Sequence, residues 1–174
     1  MAEMLLERFG SCAFDRAKFT TVANEPFWVK PKGGMWASPV GAEWGWRQWC
    51  EAEEFSTGNL NESFRFRCVG NILTIDSVAD MKLMPSQVAK EFTSVMLYSP
   101  DFERMLREGV DAIHLTEAGQ NATRFSHPGL YGWDCCCVLV MNPDCVFPVD
   151  AKIQPGPRRR MRVGENDAAQ ATAV

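Results

Sequence analysis

No apolar run in the chain approaches the ~20 residues that a membrane-spanning helix needs; the longest lies around residues 138–141. Nor is there an excess of cations. The formal charge is −4, with 18 Lys and Arg against 22 Asp and Glu, whereas the footprint of a general nucleic-acid binder is basic. The opening MAEMLLERFG brings acidic residues early and lacks the charged-then-apolar order of a signal peptide. These features set the expectation of a cytoplasmic protein with no membrane partner.

The seven cysteines are not the even, spaced set of a disulfide framework, because Cys135, Cys136 and Cys137 are contiguous and the total is odd. No Cys-x2–4-Cys pair is followed by a second ligand pair, so a structural zinc site is not expected. Cys135 and Cys137 with His127 upstream are the best available set, and their spacing is poor. Reduced cysteine is a common core residue. In an extended segment Cys135 and Cys137 share one face while Cys136 takes the other. There are only two histidines, His114 in IHLT and His127 in SHPG, and nothing in their sequence positions brings a cysteine to either ring. The chain also lacks G-x-S-x-G and G-x-G-x-x-G, which removes the nucleophile elbow and the dinucleotide fingerprint.

What is present has the order of an α+β protein: strands, a helix, strands, helices, then strands again. AEMLLERFG reads as a short strand or helix that breaks at Gly10-Ser11, and residues 14–31 read as irregular. GGMWAS predicts a strand with Met35 and Ala37 on one side and Trp36 and Ser38 on the other. AEWGWRQWCEAEEF places Trp46, Trp49, Cys50 and Glu53 at helical spacing, with Gly45 weakening the helix. SFRFRCVGNILTIDS predicts two strands joined by a tight turn. Pro85 fits the first position of a helix over residues 86–97, with Ser86 or Asp80 as its cap. PDFERMLREG predicts a second helix stopped by Gly109. VDAIHLT reads as a strand, EAGQNATRFSHPG as a polar loop, LYGWDCCCVLVMNP as the strongest strand, and DCVFPVDAKI as one more. The expectation is a single α+β domain over residues 1–153, mixed or antiparallel sheets flanked by helices. A disordered tail over 154–174 follows, whose Arg158, Arg159, Arg160 and Arg162 read as a solvated charge run, with contact to an anionic partner such as nucleic acid as the alternative.

Two regions carry chemistry. KPKGGMWAS sets Lys30 and Lys32, cations for phosphates, around Gly33 and Gly34, whose backbone N–H groups are open to an amide or phosphate, with Trp36 as a stacking face and Ser38 as a hydroxyl. The alternative is a structural turn leading into an aromatic helix. In YGWDCCCVLV, Asp134 stands at the mouth of an apolar strand, where an acid's titration is open to perturbation; a turn-capping role is the alternative. Glu117 is a second acid, at the end of the preceding strand. Four of the six tryptophans (Trp36, Trp44, Trp46, Trp49) cluster in this first half, and Trp serves stacking pockets and protein interfaces alike.

ERFGS, GGMWAS with the following WGWRQW, and GVDAIHL with YGWDCCCVLVMNPDCV together resemble the conserved segments of the ADP-ribosyltransferase fold family of bacterial and phage type. The resemblance covers residues 7–11, 33–55 and 109–146. It implies NAD bound as substrate in a cleft between two small sheets, with transfer of ADP-ribose to a protein or nucleic-acid acceptor. It further implies Arg8 as the first-motif basic residue and Ser38 as the second-motif hydroxyl. Trp36 would be the ring that stacks on nicotinamide, backbone around Lys32, Gly33 and Gly34 would bind the amide, and Asp134 would be the acid. The family places a glutamate, one methylene longer, where Asp134 stands, and Arg8 is one residue out of register. Those departures define the competing expectation: a non-catalytic binding protein of phage or plasmid origin that blocks a host protein through its Trp-rich surface.

Overall fold

The computed structural model describes residues 1–25, 28–87 and 99–149. Among them are seven strands: β1 (Ala2–Phe9), β2 (Met35–Pro39), β3 (Ser63–Gly70), β4 (Ile72–Ile75), β5 (Ala112–Leu115), β6 (Cys137–Val140) and β7 (Val146–Pro148). Three short helices, α1 (Trp46–Ala52), α2 (Phe102–Arg107) and α3 (Glu117–Thr123), accompany them. The molecule is α+β, with one mixed sheet in the order β4-β5-β6-β2-β1-β3-β7. Among the described residues only the β4–β5 pair is parallel. The helix expected to run on over 88–97, the tail 154–174 with its arginines, and Pro26 lie outside the described residues.

One residue fixes the shape of the sheet. Asn71 alone separates β3 from β4, yet these strands stand five places apart in the sheet order. In a flat sheet five spacings would put them ~24 Å apart, and two Cα steps reach only ~7 Å. The sheet therefore curls until its flanks meet at Asn71. That residue is anchored by its N–H to Asp111 Oδ2 (2.8 Å) and by its amide to the Gly109 carbonyl (3.1 Å). The expected pair of strands joined by a tight turn is thus corrected: both strands exist, but β3 pairs with β1 and β7 while β4 pairs with β5. Local sequence favoured extended backbone on both sides of Gly70-Asn71 without specifying its partners.

Alternation along the strands builds two cores. Leu6, Ala37, Phe66, Ala112, Val138 and Val146, drawn from six strands, pack in one cluster, which requires the sheet to wrap around it. The opposite faces of β5 and β6 carry Ile113, Leu115 and Leu139, which pack with Met105, Leu130 and Trp133. Strand β2 divides as its period predicts, Met35 and Ala37 facing the first core and Trp36 the second.

Other expectations meet local chemistry. Helix α2 is capped by Asp101, whose carboxylate accepts the Arg104 N–H, and closes before Gly109 at φ +92°. Residues 85–87 do not open a helix; they run beside 99–101, with Gln87 N–H on the Ser99 carbonyl at 2.8 Å and Asp101 N–H on the Pro85 carbonyl at 2.7 Å. Asp80 instead orders the 3-10 turn Val78–Leu83, accepting the Ser77 N–H and hydroxyl at 2.8 Å each. The stretch expected as a polar loop holds α3, where the Thr116 hydroxyl accepts the Gly119 N–H at 2.9 Å. The strand expected from Leu130 onward begins only at Cys137, because residues 131–136 turn to carry Asp134 to the site.

Candidate functional site

The β1–β2 ladder ends at Glu7↔Ser38. The next step would pair Arg8 with Ala37. Instead the strands part, and the Arg8 guanidinium donates to the Trp36 carbonyl at 3.1 Å. A cavity of about 370 Å³ opens in the gap, within the size range of small-molecule sites. Its lining includes Arg8, Phe9 and Gly10 from β1 and the residue after it, Trp36 and Ala37 from β2, and Trp46 from α1. Asn59, Lys30, then Trp133, Asp134 and Cys135 on the approach to β6 and Cys137 at its first position complete it.

Arg8, Lys30, Trp36 and Asp134, all singled out from the sequence, therefore share one cavity. Burial lowers the Arg8 pKa from its ordinary value. A half-buried guanidinium whose one hydrogen bond among the described residues goes to a carbonyl is a ready partner for an anion. Trp36 is held edge-on against Trp133, centroids 4.6 Å apart at 79°, and Trp133 is anchored by its indole N–H to the Val29 carbonyl at 2.8 Å. Asp134 faces a cation on each oxygen: Arg124 at 3.4 Å and Lys30 at 3.9 Å.

Ser38, Lys32, Gly33 and Gly34 stand away from the lining. Ser38 is buried, accepts the Trp46 N–H at 2.8 Å and donates to the Cys136 carbonyl at 3.4 Å. It serves as the hydroxyl cap that Gly45, at the α1 N-terminus, has no side chain to supply. Lys32 pairs with Glu25 at 2.6 Å. Gly33 and Gly34 both have left-handed backbone, φ +71° and +68°, and the Gly34 N–H is already taken by the Thr20 carbonyl at 2.8 Å. The pair lets the chain fold tightly against residues 20–23. Glu117, the second acid, accepts the Trp44 N–H at 2.9 Å, while the Trp44 indole donates to the Asp134 carbonyl at 3.2 Å. One tryptophan thus ties the turn before β6 to the start of α3.

The cysteines divide as strand alternation predicts. Cys135 and Cys137 face the cavity; a hydrogen bond from Cys137 is the main cause holding the Cys135 thiol below its ordinary pKa. Cys136 points the other way, its sulfur 3.7 Å from His114 Nε2. Sequence gave no sign of this pair, because it forms only where β5 lies beside β6. Burial pushes the Cys136 thiol up to about 12 and the His114 imidazole down, so both stay neutral and the pair is not an activated nucleophile. Among the described residues, no group of three His, Cys, Asp or Glu is placed to share a metal ion, and no helix is long and apolar enough to cross a membrane.

Trp46, Asn59 and Trp133 join the site from positions that sequence did not assign to it, while Lys30, read from the sequence beside the glycine pair, reaches the cavity without its neighbour Lys32. Trp46 and Trp49 showed only helical spacing, and Asn59 lies in a 3-10 turn with no periodicity to read. The fold and site define an α+β protein whose curled mixed sheet parts between β1 and β2 to form an aromatic cavity holding one guanidinium, one ammonium and one carboxylate. No family model, curated protein or solved structure matches the chain.

Proposed function

We propose that the cavity binds NAD and that the protein is an ADP-ribosyltransferase-like enzyme, with the fold of that family and a macromolecular acceptor. The observation that carries this reading is the convergence of Arg8, Trp36 and Asp134 on one cavity from three segments far apart in the chain. The curled sheet supports it as well, since β2 is shared between its two halves and the cavity opens where β1 leaves β2. Arg8 holds the pyrophosphate and Trp36 stacks on the nicotinamide ring. As the bond between nicotinamide and ribose breaks, the ring leaves neutral and positive charge grows on the ribose. The Asp134 carboxylate, pinned by Arg124, stabilises that charge electrostatically, and a nucleophile of the acceptor then forms the new bond to the ribose carbon. A fixed charge aimed at a developing charge is worth roughly 10²–10³ in rate.

A second reading, a non-catalytic binding protein, is favoured by one specific observation: Asp134 is flanked by two cations and so is partly neutralised. Calorimetric titration with NAD, using ATP as the control nucleotide, tests the cofactor. Selective binding lost in Trp36→Ala supports it, and silence at millimolar NAD overturns it. Asp134→Ala then separates the readings. In an enzyme, NAD cleavage followed by nicotinamide release falls by about 10²-fold or more; a binding protein releases no nicotinamide with or without the substitution.

A further inference from the structure

A positive charge already occupies the cavity. The Lys30 ammonium lies 5.8 Å from the centroid of the Trp36 ring and 3.9 Å from Asp134 Oδ2, so it sits between an indole face and a carboxylate. Both walls are pinned. Trp133 braces the edge of Trp36, and Arg124 holds the other oxygen of Asp134. The cation is the part free to leave, on a flexible four-carbon stem whose side chain is 46% exposed, against 23% for Asp134. An aromatic face beside a carboxylate is the environment that binds organic cations. A neutral ring entering there would have to expel Lys30 and would give the carboxylate nothing in exchange, whereas a cationic ring replaces the charge it expels.

We propose that Trp36 and Asp134 form a subsite for a flat, permanently charged ring of the pyridinium class, and that Lys30 holds its place in the free protein as a built-in competitor. In this arrangement Lys30 is a specificity-determining residue. It sets a threshold that a charged ring passes more easily than a neutral one. For the dinucleotide the inference rests on the reading above, and it selects the oxidised cofactor, whose nicotinamide is a pyridinium, over the reduced one. The opposite role, a lysine that grips a phosphate, predicts the opposite sign on removal, so the two are separable by one substitution.

The test uses the full chain, Lys30→Met, which keeps an unbranched apolar stem, and Asp134→Asn. Binding of 1-methylnicotinamide (charged) and nicotinamide (neutral) is followed by quenching of tryptophan fluorescence, and NAD and NADH are titrated by calorimetry. Lys30→Met tightens the charged ring and NAD about five-fold, the scale of an exposed ion pair plus a cation–π contact, and tightens the neutral partners by more, so that the preference for charge narrows. Asp134→Asn levels the charged and neutral rings. Weaker NAD binding in Lys30→Met overturns the inference in favour of a phosphate contact, and unchanged binding overturns it as well. If the charged ring follows the expected pattern while neither dinucleotide binds, the subsite stands and the NAD reading falls. If the dinucleotides bind but charged and neutral rings do not differ, the subsite falls alone. Binding of none of the four probes overturns both.

Discussion

Gly33 shows how far one residue can be misjudged from its neighbours. Flanked by lysines and followed by a tryptophan, it suggests a backbone opened for a ligand. In the folded chain, a Cβ at that position would lie 2.4 Å from the Thr21 carbonyl oxygen and 2.8 Å from that of Thr20, with φ at +71°. The glycine is there because nothing larger fits under the loop. Gly33→Ala is accordingly expected to cost about 3 kcal/mol from backbone strain and clash together, seen as a fall of roughly 10 °C in the thermal midpoint. Lining none of the cavity, it leaves NAD affinity of the folded fraction unchanged; a stable variant with lost binding would return the glycine pair to the site. Trp36 and Asp134 were singled out by their side-chain chemistry and Arg8 by the family resemblance, and the three line one cavity. Asn59 carried no such signal, and nothing local distinguished Lys30, which reaches the cavity, from Lys32, which pairs with Glu25.

At the scale of elements, the strands and α1 could be read because alternation and helical spacing are local properties. Met35 and Ala37 against Trp36 is one instance, and the stacked Trp46 and Trp49 rings, 5.1 Å apart, are another. Pairing is not local, and so the β3–β4 connection and the late start of β6 were misread. Helix α3 was missed for a related reason. Its sequence EAGQNAT has no apolar stripe, and Gly119 is admitted because a Cβ there would lie 2.0 Å from the Ile75 carbonyl oxygen. One hydroxyl ties β2 to the start of α1 and to the residue before β6. Ser38→Ala leaves the Trp46 N–H without its acceptor and should destabilise the protein by about 1–2 kcal/mol. Urea unfolding measures the loss, and near-UV circular dichroism should register a shift in the Trp46–Trp49 stack. A change below ~0.3 kcal/mol would mean that water replaces the hydroxyl and that the junction is held elsewhere.

For the whole molecule, the pairing of β5 with β6 buries an ionisable group that the strand VDAIHLT carries, and this couples stability to pH. His114 is the group to follow. It lies on β5 beside Cys136, and burial lowers its pKa below the ordinary 6.5, with the charge of Asp76 opposing the shift. The unfolded chain therefore binds more protons than the folded one between the lowered value and 6.5, and in that interval stability rises with pH. His114's contribution is complete above 6.5 and is lost as pH falls below it. Asp80 does not confuse the interval: its carboxyl is lowered from 3.8, chiefly by the Ser77 hydroxyl, so it acts only in stronger acid. Cys136, pushed to about 12, remains a thiol throughout. Urea midpoints at pH 7.5, 6.5 and 5.5 should fall in that order, most steeply across the last step. In His114→Gln, which keeps a polar neighbour for the Cys136 sulfur but cannot titrate, the decline should flatten. An equal decline in the variant would assign the pH dependence to carboxylates and leave His114 as a group that protonates freely in the folded chain.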